Sequence, residues 1–280
     1  MALLFTSTAN SQSLKTFEVL NPKVHQGDVL IIKISPQWLP PATSNPTIYI
    51  FGKHYTSNAK GKVLIGVNIE TSPDKYIATF NENGQRSGWD YEEIEVVKTS
   101  FEETRISSFT GEPAQRTDSQ KRKVDDIYKK YNEVDGSIDL TGGLGYIDPL
   151  GIAREIIDPF GLIYENNPYR RHEGVDLKAP VGTSVRAINS GKVILIAKNF
   201  RREGNMIIIN HGLGIFSVYM HLSKFKVKEG EIVRQKQEIG LSGRSGRGVR
   251  EPHLHFNIKI HLTYIDPLTF IDTVNQYLFF

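Results

Sequence analysis

The chain of 280 residues contains no cysteine. That absence excludes disulfides, thiolate metal sites, a cysteine nucleophile and a lipid-modified cysteine anchor. A zinc site in this sequence has to be built from histidine and carboxylate. Long apolar runs are missing too, and nothing approaches the roughly 18–20 residues needed to cross a bilayer, so no membrane span is expected. An excess of charge of one sign is lacking: 34 Lys+Arg stand against 31 Asp+Glu. A balance that even gives only a weak pull toward an anionic partner. No basic stretch interleaved with aromatics appears, which argues against a nucleic-acid partner. No alternation of strands and helices appears either, which argues against a nucleotide-binding α/β sheet.

What is present is the composition of a globular chain, 39% hydrophobic and 23% charged, long enough for two domains with real cores. Residues 1–15 read as a tail or the remnant of an export signal. MALLF is shorter than a secretory core and has no basic residue before it, while Ser7-Thr8-Ala9 resembles the small-residue end of a signal.

From 16 to 100 the sequence predicts short strands: 29–35 (VLIIKIS), 47–51 (TIYIF), 62–69 (KVLIGVNI), 76–80 (YIATF) and 92–97 (EEIEVV). They are rich in β-branched and aromatic residues, and PPATSNP, TSNAKG, TSPDK and NENGQRSG separate them with turn chemistry. This spacing suits a small antiparallel β-sandwich of immunoglobulin-like type. Its histidines, His25 and His54, stand alone and read as structural or solvated.

Residues 101–136 form a connector. Val124, Ile127, Tyr128 and Tyr131 recur at helical spacing, and Asp118 or Ser119 is the expected cap. The thin apolar stripe either docks on a neighbouring domain or belongs to a solvated linking helix. From 137 to 280 the pattern is β again, with strands expected at 184–188, 191–197, 205–210, 216–222, 231–233 and 253–260. The fold class is thus mainly β, with a sandwich, a helical connector and an antiparallel-β C-terminal domain.

Five of the eight histidines fall between 172 and 255. EPHLHF places His253 and His255 on one face of a strand, with Leu254 on the other. Two such imidazoles share a metal, or one binds it while its neighbour faces a metal-bound water; an isolated pair would more simply sit on a solvated sheet face. RHEGVD adds His172 and Asp176, brought together through a bend because Gly174 disfavours a regular helix. With one histidine of the pair they make the three protein ligands of a catalytic zinc site, which leaves a position for water. SVYMHL contributes His221. Tyr219 precedes it by two, placing it on the same face as a candidate substrate contact or as a packed strand tyrosine. His211, in the Gly-rich turn INHGLG, reads as structural, and His261 as exposed.

Together HEGVD, VYMHLS and PHLHF, in this order, resemble the lysostaphin/LytM-type zinc endopeptidases that cleave peptidoglycan cross-links. The resemblance covers roughly 158–271 and extends to DPFG, DLKAPVGTSVRAINSGKV, KVKEGEIVRQKQEIGLSG and YIDPLTFI. It implies that His172, Asp176 and His255 bind one Zn2+, while His221 and His253 are catalytic and flank the water and the scissile carbonyl. Which of the two is the base stays open. It further implies a bacterial peptidoglycan substrate and a periplasmic, cell-envelope or secreted location. The alternative is a non-catalytic module that binds the wall and activates another hydrolase, although such relatives usually lack part of the set that is complete here. A purely structural β-protein would leave the set unexplained. The sequence departs from the pattern in a longer loop, GRSGRGVRE, whose Arg244, Arg247 and Arg250 are candidate contacts to a substrate carboxylate or else solvated. It departs again at Asn257, where relatives often carry an acid. Regulation of the enzyme by its own N-terminal region is a further expectation.

Overall fold

A computed structural model describes residues 15–39, 46–58, 60–82, 85–104, 116–134, 139–151, 155–164 and 167–277. The expectations for 1–13 and for most of the polar stretch before the connector helix lie outside these residues.

The run VLIIKI explains how the N-terminal part is built. Strand Val29–Ile34 is apolar at nearly every position because both of its faces are covered. It lies between strands Phe17–Val19 and Lys62–Gly66 in a three-stranded antiparallel sheet. Leu30, Ile32 and Ile34 turn inward to meet Ile48, Ile50, Ala78, Phe80, Ile94 and Val96. Those residues come from a second sheet ordered Lys23–His25, Gln85–Val97, Lys75–Glu82, Thr47–Ile50, Lys53–Thr56. The two sheets form a sandwich, as the turn spacing predicts. They are not wholly antiparallel, because Lys23–His25 runs parallel to Gln85–Val97, and the pairing does not establish an immunoglobulin type.

Val29, Ile31 and Leu64 point the other way and join the core of the C-terminal sheet, beside Ile258, Ile265, Phe270 and Val274. That sheet is antiparallel, ordered Ile156–Asp158, Val175–Lys178, His253–Ile260, Ile215–Met220, Gly204–Asn210, Gly191–Phe200, Ile232–Val233, with Thr263–Ile265 added to His253–Ile260. On one face Leu254, Phe256, Ile258, Ile215 and Tyr219 pack under helix α2 (Pro267–Tyr277). Helix α2 is not among the elements expected from the sequence. Its signals were the cap Asp266, whose Oδ1 accepts from the Leu268 N–H at 2.9 Å, Pro267 at the first position, and buried Phe270, Ile271 and Val274 at helical spacing.

The opposite face carries helix α1 (Asp118–Val134). Val124 and Tyr128 are buried against Leu195, Ile208, Phe216, Val218 and Met220, with Ile127 and Tyr131 half-buried beside them, so the stripe docks. Lys259 Nζ sits 4.3 Å and 4.1 Å from the ring centres of Tyr128 and Tyr264, and burial lowers its pKa to about 8. The cap is Thr117 rather than Asp118 or Ser119. Thr117 Oγ1 accepts from the Gln120 N–H at 3.3 Å, and Gln120 Oε1 accepts from the Thr117 N–H at 3.1 Å, a reciprocal capping box.

His211 is fully buried, with Nδ1 2.8 Å from Ser190 O and Nε2 2.7 Å from Ser217 Oγ. His261 is not exposed as expected. It is half-buried at a positive φ of 44°, with its ring centre 5.7 Å from that of Tyr55 across the two parts of the chain.

Leu64→Ala should lower stability by about 2–5 kcal/mol, the range for a buried leucine. Because Leu64 belongs to the C-terminal core, calorimetry should show one transition moving as a whole rather than an N-terminal transition moving alone. Burial also lowers the pKa of His211 from 6.5 to about 4. Its neutral form is therefore the one that folds. The stability tied to it is complete above pH 6.5 and is lost as pH falls toward 4. Thermal midpoints across that window should fall less steeply in His211→Asn than in the parent chain.

Candidate metal centre

The register of two strands sets the site. Val175–Lys178 pairs with His253–Ile260 so that Asp176 lies opposite His255 and Lys178 opposite His253. Alternation along the second strand brings His253 and His255 to one face, as expected from His-x-His. His172 arrives through a bend at Gly174. A Cβ on Gly174 would run into Phe256 O and come within 3.0 Å of His255 Nε2, so the bend closes only on glycine.

Three donor atoms converge. His172 Nε2 is 3.2 Å and His255 Nδ1 2.7 Å from Asp176 Oδ1, and the two ring nitrogens are 3.1 Å apart. All three residues are buried. His172 Nδ1 lies 2.9 Å from Pro159 O. A carbonyl only accepts, so that nitrogen carries the proton and Nε2 presents its lone pair inward. The donor set fits a metal of the zinc type. It offers two imidazole nitrogens and one carboxylate oxygen, separated by somewhat less than the about 3.3 Å that bonds of about 2.0–2.1 Å give around a tetrahedral ion.

Electrostatics concentrate the negative charge at the same point. Burial works against the Asp176 carboxylate, but His255 and His172 hold its pKa well below the usual carboxylate range. Burial likewise opposes a charge on His172, and Asp176 outweighs it, raising that pKa. For His255 burial prevails and lowers it.

His253 and His221 flank this trio without joining it. Their ring centres are 4.8 Å apart, and His221 lies 5.9 Å from His255 by the same measure. His253 Nε2 is 3.6 Å from Asp176 Oδ2. His253 Nδ1 sits 2.9 Å from Glu251 O, and His221 Nδ1 2.9 Å from Ser245 O. Both Nδ1 atoms therefore carry a proton, and proton exchange at either ring is left to Nε2. Burial, and then the positive potential of His255 and His253, lowers the pKa of His221 to about 3.

Tyr219 does not come to the site. Its side chain is fully buried, and its hydroxyl accepts from the Ile188 N–H at 3.1 Å and lies 3.0 Å from Ser217 Oγ. His221 has a positive φ of 62°, just past the end of strand Ile215–Met220. That twist breaks the alternation from which a shared face was inferred. Arg244, Arg247 and Arg250 are exposed on the loop beside His221. Arg244 Nε donates to Val249 O at 3.0 Å, and the Arg247 N–H to Arg201 O at 2.9 Å. Asn257 is buried next along the site face, and its Oδ1 has no hydrogen-bond partner among the described residues. Sequence reasoning missed Pro159, Ser245 and Glu203, whose parts are played through backbone carbonyls or across long sequence separations.

The family model of Peptidase family M23 matches residues 170–267. The chain is 42% identical over 87 residues to the peptidoglycan DD-endopeptidase ShyA of Vibrio cholerae, across 31% of this chain and 20% of that protein. It is 41% identical over 103 residues to an uncharacterized metalloprotease of Buchnera aphidicola, across 37% of this chain and 26% of that one. The matched stretch thus spans about a fifth to a quarter of these curated relatives. A crystal structure of a Pseudomonas aeruginosa protein assigned to peptidase M23 superposes with a TM-score of 0.62 at 23% identity, covering 88% of this chain and 94% of that one. At that identity the likeness is one of fold. Residues 170–267, which hold all four histidines and the aspartate of the site, are a domain of peptidase family M23.

Proposed function

We propose that the protein is a zinc endopeptidase that hydrolyses amide bonds in the stem or cross-link peptides of peptidoglycan in the bacterial cell envelope. The observation that carries the reading is the triangle of His172 Nε2, Asp176 Oδ1 and His255 Nδ1, flanked by two imidazoles whose Nδ1 atoms are held on backbone carbonyls. The substrate class rests on the resemblance to a relative named a peptidoglycan DD-endopeptidase. In this reading residues 16–100 are an accessory sandwich, 101–136 a connector and 137–280 the peptidase unit.

His172, Asp176 and His255 would hold the zinc. When bound, the ion supplies Lewis acidity, polarising a substrate carbonyl and bringing the pKa of water toward about 7. The remaining chemistry falls to the chain itself. His221 and His253 have Nδ1–H fixed on backbone carbonyls, so proton exchange falls to Nε2, where either ring in its neutral form can take a proton from attacking water and return it to the leaving amine. Whichever of them is protonated can donate a hydrogen bond to the developing oxyanion. Burial of both rings keeps bulk water from competing for those bonds. The arginine loop would form one wall of the groove and contact a carboxylate of the peptide.

Metal analysis of the purified chain should give about one zinc per molecule, in keeping with a three-ligand site. His172→Ala and Asp176→Ala should lose the metal. His253→Ala should keep it and yet fail to release soluble fragments from purified sacculi. A parent chain that binds no divalent metal would refute the reading. Replacing Arg244, Arg247 and Arg250 together with alanine should raise KM on polymeric wall with little change in kcat. Unchanged kinetics would remove the loop from the binding site.

A further inference from the structure

Arg116, the first described residue after the polar stretch of the connector, sits far from the metal trio in sequence and outside the matched family segment. Its Nε–H donates to Glu203 Oε1 at 2.8 Å. The Glu203 side chain is fully buried, and its other oxygen, Oε2, has no hydrogen-bond partner among the described residues. A buried carboxylate with one charged partner among the described residues depends on that partner: remove it and an uncompensated charge is left inside the protein.

Glu203 stands in the turn between strands Gly191–Phe200 and Gly204–Asn210. Its backbone carbonyl accepts the N–H of His221 at 3.0 Å. The next residue, Gly204, has a φ of 66° and lies so close to Ser245 and Gly246 that a Cβ would collide with their backbone. Ser245 in turn holds the His221 ring through the 2.9 Å contact of its carbonyl with Nδ1. It also donates from Oγ to Leu222 O at 2.8 Å and accepts at the same oxygen from the Asn205 N–H at 2.9 Å. The Arg247 N–H completes the clasp by donating to Arg201 O at 2.9 Å. His221 is therefore gripped at its backbone by the turn and at its ring by the loop, and the two grips are packed against each other.

The grip has something to resist. At a positive φ of 62°, His221 occupies the left-handed region, where a side chain with a Cβ is disfavoured unless its surroundings impose it. The charge that fixes the turn comes from the connector.

We propose that Arg116 is a positioning residue for His221. By neutralising Glu203 it holds the turn whose carbonyl and packing fix the backbone and ring of that histidine, so the docked connector completes the active site. The inference rests on the catalytic role of His221 in the proposed function.

The test uses the full-length, zinc-loaded chain and soluble cross-linked muropeptides. Arg116→Ala should lower kcat about tenfold or more, with KM within about twofold and the metal retained, as expected when a catalytic group is displaced by a fraction of an ångström to an ångström. Arg116→Lys should recover most of kcat. So should Arg116→Ala combined with Glu203→Gln, which removes the unpaired charge. Val124→Ala loosens the same helix without touching Glu203, and it should lower the melting temperature while sparing kcat per folded molecule. Independently of activity, the ring resonance of His221, assigned with His221→Ala in histidine-labelled protein, should shift or broaden in Arg116→Ala and not in Val124→Ala. Should Arg116→Ala not fold, Arg116→Gln with and without Glu203→Gln is read in the same way.

An unchanged kcat and resonance in the arginine variant, or an equal loss of kcat in Val124→Ala, would overturn the inference. A parent chain that cleaves no muropeptide would instead count against the proposed function, and the resonance would still decide whether Arg116 positions His221.

Discussion

The antiparallel register of Val175–Lys178 on His253–Ile260 is the constraint on which the site depends. It places Asp176 directly opposite His255, and the pleat then puts His253 on the same face two residues away. A slip of one residue would send both histidines into the apolar layer and bring Leu254 and Phe256 to the site. The buried side of the strand prevents that slip, because Leu254, Phe256, Ile258 and Ile260 are all fully buried in the larger core. Chemistry on one face is thus held in register by hydrophobic burial on the other.

That two-sidedness also explains how the rest of the chain is arranged. Each face of the C-terminal sheet has its own helix, α2 over the apolar side and α1 over the side that carries the site. Strand Val29–Ile34 is drawn into the same scheme from outside. Its even positions close the N-terminal sandwich, while Val29 and Ile31 enter the core beneath α2. The sandwich is not appended to the C-terminal sheet by a tether alone; the two share buried surface.

What could be read from the sequence followed the range of each signal. His253 and His255 were legible because strand alternation is local and has period two. His172 and Asp176 were legible because Gly174 announces a bend. The stripe on α1 was legible from its helical spacing, and its cap, expected at Asp118 or Ser119, falls one or two residues earlier at Thr117. Tyr219 failed for a local reason that the sequence does not display: the backbone twists to a positive φ at His221, and the face count stops there. His261 failed because what covers it, Tyr55, lies 206 residues away on another sheet. The pairing of Arg116 with Glu203, separated by 87 residues, left no pattern at all, since each is an ordinary charged residue in a polar stretch.

A site of this kind works against the stability of its own fold. It buries a carboxylate and four imidazoles, and it holds one of them in a disfavoured backbone region. Without a metal, the imidazoles crowded around Asp176 compensate it, which is why its pKa falls while that of His172 rises. The opposing contribution has to come from surfaces that do no chemistry: the continuous apolar core beneath the sheet and the α1 interface above it. Those surfaces are tied to the site through hydrogen-bonded backbone rather than through His172, Asp176 and His255 themselves. Loss of the Arg116–Glu203 contact would therefore reach His221 while leaving the His172–Asp176–His255 triangle, which rests on the strand register, in place.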